Sequence, residues 1–339
     1  MSDGLITRAI ILGGSHGWDE SGFAAVRPFP LMPVAHSPLI CHTLRWLSEA
    51  GIRHVTICTN EGWRLGRSLL SDGSLRQLQL SYYMDLIPRG AAGCVRDAAA
   101  QFGGDRFLVC DATILPDCDL ATLFQEHESS AALMTVVVAP GEETNSAPLA
   151  ARLRPVGAYL LEREALEAVP EAGFQDLKEM LIPQLYRGNQ SVATFQLPRS
   201  FGRITDVHSY LALCASAAIR LAKSDATWPG YRRVRESFVH ETAQVADPSR
   251  LIGPVLVGAG SRVAATATVV GPTTIGTDCE VRRDAVLCSS VLWDQVEVGE
   301  RAVVDHAIVT DGARLKPASR VEYLLFRGGS VDELAVGAI

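Results

Sequence analysis

The stretch VHETAQVADPSRLIGPVLVGAGSRVAATATVVGPTTIGTDCEVRRDAVL, residues 239–287, carries a branched aliphatic side chain at every sixth position: Val239, Val245, Leu251, Val257, Val263, Val269, Ile275, Val281 and Leu287. A period of six is not a helix face, which repeats about every 3.6 residues, and a plain alternating strand would not leave the intervening positions small and polar. The register reads as a β-solenoid. Three hexapeptides make each triangular coil and the aliphatic residue points inward. A small residue such as Ser249, Ser261, Ala265 or Ala285 occupies or flanks a tight corner. Between Leu287 and Val303 the spacing leaves multiples of six, which predicts a bulged coil near Trp293.

Outward from this stretch, composition sets the class. With 339 residues, 47% hydrophobic and 20% charged, the chain is long enough for two cores. The expected division is an α/β domain over 1–224, a linker over 225–237, the solenoid over 238–326 and a C-terminal tail over 327–339. No apolar run reaches the length of a membrane span, and MSDGLITRAIILGG lacks a basic start and a small-residue cleavage site, so the expectation is a cytoplasmic protein without a membrane partner. The eight cysteines show no CxxC spacing, which predicts reduced, buried thiols. A net charge of −7 argues against nucleic acid, and the basic knot Arg232, Arg233 and Arg235 reads as a solvated linker.

Before the solenoid, β-rich runs alternate with helical patterns: strands at Thr7–Leu12, Arg53–Thr59, Leu78–Met84, Arg106–Cys110, Leu133–Val138 and Gly157–Leu161, and helices at Pro38–Ala50, Arg64–Leu70, Ala91–Phe102, Leu120–His127, Glu162–Val169 and Phe174–Tyr186. This alternation predicts a Rossmann-like three-layer α/β domain with a largely parallel sheet. Ligands of such sheets bind beyond the carboxyl ends of the strands, so the loops at Gly13, Pro88 and Asp111 are where chemistry would sit. GGSHG by itself reads as a tight turn and His16 as an exposed turn residue. Asp117 and Asp119 suggest a metal pair, but Asp119 before Leu-Ala-Thr-Leu-Phe fits a helix N-cap better.

AIILGG (9–14), PFPLMPVAHSPLICHTLRWLSEAGIRHVTI (28–57), IPRGAAG (87–93) and FLVCDATILPDCDL (107–120) resemble, in order and spacing, the sugar-1-phosphate nucleotidyltransferases that make nucleotide sugars. The solenoid resembles the left-handed hexapeptide β-helix that follows that domain in enzymes of the mannose-1-phosphate guanylyltransferase and glucose-1-phosphate adenylyltransferase type, and SVLWDQVEVGERAVVDHAIV (290–309) looks like the same part. The resemblance implies attack of a sugar 1-phosphate on the α-phosphate of a nucleoside triphosphate. That chemistry needs an Arg and a Lys on the phosphates and a Mg²⁺ held by two carboxylates.

Carried over by position, those residues are missing. Trp18, Asp19 and Glu20 stand where the phosphate-binding Arg segment falls, Phe29 replaces the Lys of the Pro-Lys-Pro motif, and the first lysine in the chain is Lys178. Thr113 replaces one metal Asp and Arg203 the other. The sugar-binding Glu-Lys-Pro is absent from 139–156, Pro155 takes the place of an Asn, and Asp85 that of a base-contacting Gln or Glu. What remains is backbone and edge: Leu12, Gly13, Gly14, Asp85, Pro88, Gly90, Ala91, Gly93 and Asp111 are the expected nucleotide-contacting positions, whose N–H groups and missing side chains let a ligand approach. Trp18 and Phe29 are candidates to plug the phosphate pocket.

The resulting expectation is a catalytically degraded protein that binds a nucleotide or nucleotide sugar. It would assemble through the solenoid, as a homo-oligomer or with an active paralogue, and need no cofactor. One alternative is an active enzyme that has rebuilt its site from Arg27, Asp111 and Asp206, and in that case alone Mg²⁺ is expected. Others are a hexapeptide acyltransferase, for which His306 is the candidate, and a purely structural assembly protein.

Overall fold

The structure is a computed structural model that describes residues 7–13, 23–59, 77–86, 89–141, 153–224, 227–323, 325–327 and 330–332. The helix expected at Arg64–Leu70 lies outside the described residues. Two compact units make up the chain: Met1–Trp18, Pro28–Leu31 and Leu39–Gly202 form the first, and Asp19–Arg27, Met32–Pro38 and Arg203–Ile339 the second. The division therefore falls near residue 203 and not at the expected 224, because the following helix buries its apolar side within the second unit.

The first unit is built on a seven-stranded sheet. Its strands are β1 (Arg8–Leu12), β2 (His54–Thr59), β3 (Gln79–Met84), β4 (Arg106–Asp111), β5 (Met134–Pro140), β6 (Leu153–Glu162) and β7 (Val192–Gln196), in the order β7-β5-β6-β4-β1-β2-β3. All neighbours run parallel except β6, which is antiparallel to both β4 and β5. Alternate residues serve opposite faces: Ala9 and Ile11 join one core with Leu108 and Cys110, while Ile10 joins the other with Phe107 and Val109. A sheet apolar on both faces must be covered on both. Helices α1 (Leu39–Glu49) and α3 (Leu120–Ser130) contribute Ile40, Leu44, Leu120 and Leu123 to the first core, and α2 (Gly90–Phe102) contributes Ala92, Val95, Ala98 and Ala99 to the second.

Asp119 is the N-cap of α3 and accepts from the N–H groups of Ala121 and Thr122, as its sequence context suggests. The helix expected from Phe174 starts later, because Asp176 caps Lys178 and Glu179, and it opens with a wide π-helical turn, Leu177–Leu181, before Ile182–Arg187. Strand β7 is not legible as a strand in the sequence, since VATFQ is short and only Phe195 is buried.

In the second unit, α4 (Val207–Lys223) begins at a capping box made by Asp206 and Ser209 and packs on the strand Thr273–Ile275 of the solenoid. Arg233 closes its other end, donating to the carbonyls of Ala222 and Ser224. The expected linker is thus partly a strand, Tyr231–Val234, paired antiparallel with Ser237–His240, and one arginine of the basic knot is a helix cap.

The solenoid is a parallel β-helix with three sheets. Val239 pairs with Val257 and Val257 with Ile275, a coil of 18 residues. Ile275 then pairs with Leu292 and Leu292 with Val309, a coil of 17. The slip near Trp293 is therefore one residue fewer on one side of each later coil, not a bulge. At the shortened corner Ser289, His306 and Tyr323 all take left-handed backbone angles, φ 45°, 46° and 53°. Each N–H there donates to the coil before it, to Val270, Cys288 and Asp305 respectively. Ser261 and Ala285 are the buried corner residues, while Ser249 and Ala265 lie outside. The strand Leu325–Arg327 carries the ladder across the expected solenoid boundary at 326, and within the expected tail Ser330–Asp332 folds back antiparallel to it.

Candidate functional site

Register alone gathers the carboxyl edge of the sheet. Leu12 lies opposite both Cys58 and Asp111, and Thr59 opposite Met84. The ladder continues past the strand ends: Gly13 N–H donates to Cys58 at 2.8 Å, Ala112 to Leu12 at 3.1 Å and Asp85 to Thr59 at 3.0 Å. Leu12, Gly13, Asp85 and Asp111 are thereby fixed along one edge, where the fold places ligands. Gly14 and Pro88 lie outside the described residues. Beneath the edge, a bond with Cys94 and burial push the Cys58 thiol well above the usual range, so it stays protonated. None of the cysteines is bridged, and six of the eight are buried.

Helix α2 starts at this edge, but its first turn is engaged by the protein itself. The Ala92 N–H donates to Gln175 O at 2.9 Å, and Gln175 N–H to Arg89 O at 2.7 Å. Gly90 has φ +79°, and a Cβ there would lie 2.4 Å from Gln175 O. The close approach that Gly90 permits is therefore made by residues 169–175, a contact the sequence pattern does not announce. Two arginines hold that segment: Arg89 donates to Glu171 O at 2.8 Å, Arg96 donates to the carbonyls of Val169 and Pro170, and both pair with Asp97. Ala91 and Gly93 sit in the same turn, with Gly93 against the Arg89 side chain.

The residues proposed to rebuild a catalytic centre have other partners. Arg27, in the second unit, pairs with Asp311 and lies over the Trp293 ring, 4.6 Å from its centroid. Asp206 accepts from Ser209 as the α4 cap. Burial opposes its charge, but the bonds from Ser209 and Thr205 hold its carboxyl below the ordinary value. Phe29, at the lysine position, is 7% exposed, beside the buried Pro30 and Leu31; Trp18 lies outside the described residues. Asp117 pairs with Arg199 at 2.7 Å. Among the described residues no cluster of three His, Cys, Asp or Glu side chains could hold a metal ion.

Residues 8–147 match the nucleotidyl transferase model and residues 251–334 that of the GMPPB C-terminal domain, so the chain carries a nucleotidyltransferase domain followed by that C-terminal domain. It is 24% identical to mannose-1-phosphate guanylyltransferase of Mycobacterium tuberculosis, over 75% of this chain and 76% of that protein. It is 25% identical to probable mannose-1-phosphate guanylyltransferase 1 of Oryza sativa subsp. japonica, over 93% and 97%. It is 23% identical to UTP--glucose-1-phosphate uridylyltransferase of Synechocystis sp., over 96% and 89%. No helix among the described residues is long and apolar enough to cross a membrane.

Proposed function

We propose that the chain is a catalytically silent, nucleotide-sugar-binding subunit that regulates or assembles with nucleotide-sugar synthesis. The observation that carries this reading is the substitution of every charged side chain the reaction depends on, with the backbone of the carboxyl edge retained. Phe29 in a buried position cannot stand in for a phosphate-binding cation. By sequence correspondence Arg203 takes the place of a metal carboxylate, and Arg27 and Asp206 are committed to other bonds. Losing one preorganised electrostatic contact typically raises a barrier by roughly 3 kcal/mol, and several losses together abolish useful turnover. Gly13, Asp85 and Asp111 lie along the carboxyl edge, where open α/β sheets take ligands.

The test pairs binding with turnover. The purified protein is expected to gain thermal stability with guanosine or uridine diphosphate sugars without Mg²⁺, by about 2.7 kcal/mol at a hundredfold excess over Kd. It is expected to release no pyrophosphate from a nucleoside triphosphate and a sugar 1-phosphate. Mg²⁺-dependent turnover at ordinary enzyme rates, abolished by Asp111→Asn, would overturn the proposal. No stabilisation by any nucleotide or nucleotide sugar would remove its binding half.

A further inference from the structure

One face of the solenoid carries a groove. Its strands, Gln244–Val245, Arg262–Val263, Glu280–Val281, Glu297–Val298 and Arg314–Leu315, turn their second residue toward the core, so the residues on either side of it project outward. The outward residues form two rows about 6.6 Å apart, with about 4.8 Å between successive coils. One row reads Gln244, Arg262, Glu280, Glu297, Arg314, and the other Ala246, Ala264, Arg282, Gly299, Lys316. The methyl groups of Ala246 and Ala264 therefore lie between longer side chains. The space above them is a groove of about 680 Å³, bounded by Gln244, Arg262, Glu280, Arg282, Arg283 and Glu300. That volume suits a small organic molecule.

Charge around the groove is only partly paired. Arg282 bridges Glu280 at 3.4 Å and Glu297, and Arg314 reaches Glu297 at 3.6 Å, so these four neutralise one another. Arg262 and Arg283 are left over. Both are exposed, and among the described residues neither guanidinium makes an ion pair or a hydrogen bond. The row neighbour of Arg262 is Glu280, which Arg282 already engages. Two free guanidiniums from successive coils thus line one groove.

A planar guanidinium fork matches a phosphate group, and two of them match its double charge. Glu300 narrows the ligand further, because a second anionic group in the groove would lie against its carboxylate. Glu300 can accept hydrogen bonds from hydroxyl groups, and the Gln244 amide can both donate and accept. We propose that the groove binds a phosphate monoester with an uncharged, hydroxyl-bearing body. The phosphate lies between Arg262 and Arg283, the carbon skeleton over Ala246 and Ala264, and the hydroxyls toward Gln244 and Glu300. The site lies wholly within the second unit and is independent of whether the carboxyl edge of the first takes a nucleotide.

Titration calorimetry on the full chain with glucose 6-phosphate, glucose and inorganic phosphate tests this. Glucose 6-phosphate is expected to bind at millimolar concentration or below, inorganic phosphate roughly tenfold more weakly, and glucose not detectably. Arg262→Gln and Arg283→Gln should each weaken glucose 6-phosphate roughly tenfold, with unchanged thermal unfolding because neither side chain holds a partner. Ala264→Glu supplies the two arginines with a carboxylate from the chain itself and should abolish binding. Arg314→Gln, on the same face outside the groove, should leave the affinity unchanged. Absence of binding at millimolar concentration overturns the proposal. So does an affinity that the Arg262→Gln, Arg283→Gln double variant retains, since the ligand then sits elsewhere. Inorganic phosphate binding as tightly as the ester, or guanosine triphosphate binding more tightly through the same two arginines, overturns the choice of a monoester.

Discussion

The corners of the solenoid and the carboxyl edge of the sheet both turn the chain sharply, yet they constrain sequence in opposite ways. At a solenoid corner the side chain itself is specified. Ala243, Ser261, Cys279, Val296 and Ala313 follow one another down one interior corner, and Ser261 is wholly buried, donating to Gly276 O at 2.7 Å and accepting from Cys279 N–H at 2.9 Å. At the sheet edge the backbone is specified, through Gly13, Asp85 and Ala112 bonding to the neighbouring strand, and the side chains beyond it are open to substitution. A site can therefore lose its chemistry and leave its fold intact, whereas the solenoid has no such freedom.

That contrast can be broken at its strongest point. Leu287→Ala removes a wholly buried side chain from a coil interior that has neighbouring strands on both sides, and is expected to cost about 4 kcal/mol by urea unfolding. A cost below about 1 kcal/mol would mean that the coils repack as loosely as a surface. The complementary probe at the edge is Gly90→Ala. Its φ of +79° and the 2.4 Å approach to Gln175 O lead us to expect a loss of about 3 kcal/mol, with hydrogen exchange rising in residues 169–175. A neutral Gly90→Ala would show that this segment can leave α2.

A pH measurement sharpens the comparison inside the second unit. The hairpin Pro33–Val34/Ser37–Pro38 turns at Ala35 and His36, and His36 donates from Nε2 to Ile275 O at 2.9 Å while Nδ1 accepts from the Tyr231 hydroxyl at 2.7 Å. Burial pushes its pKa down to about 4 from 6.5. The folded protein binds this proton less readily than the unfolded chain does, so the contribution is present above about pH 6.5 and lost as pH falls toward 4. Stability should drop by about 2 kcal/mol between pH 7 and 5 on account of this residue, and His36→Gln should flatten that part of the profile. An unchanged slope would place the hairpin's hold elsewhere. The smallest expected effect is Asp119→Ala, about 1 kcal/mol in thermal unfolding from the lost N-cap of α3.

Much of the fold follows from local pattern. The period of six fixes the coil, alternation fixes six of the seven strands, and Asp119 announces its helix. What escaped were features decided by distant partners. Strand β7 is short and mostly exposed, and it exists because β5 offers it an edge. Helix α4 belongs with the solenoid through packing that no local period encodes. The candidate edge was legible because strand ends and glycine loops are local signals. The contact of residues 169–175 with α2 was not, since Gln175 joins Arg89 and Ala92 through backbone atoms that every residue possesses. Gly90 was the one trace of it, and a glycine there suits a ligand and a neighbouring loop equally well.

The change from coils of 18 to coils of 17 residues limits how this half of the protein can lengthen or shorten through evolution. Beyond Leu287, removing residues 291–307 as a block would bring Ile308 and Val309 into the places of Val291 and Leu292 and keep every later side chain facing as it does now. A cut of 18 would turn the interior of each following coil outward. Insertions and deletions in the C-terminal coils are thus tolerated only in whole steps of 17, and those before Ile275 in whole steps of 18. A genetic change of any other size there acts as a frameshift in three dimensions, although the reading frame of the gene is preserved.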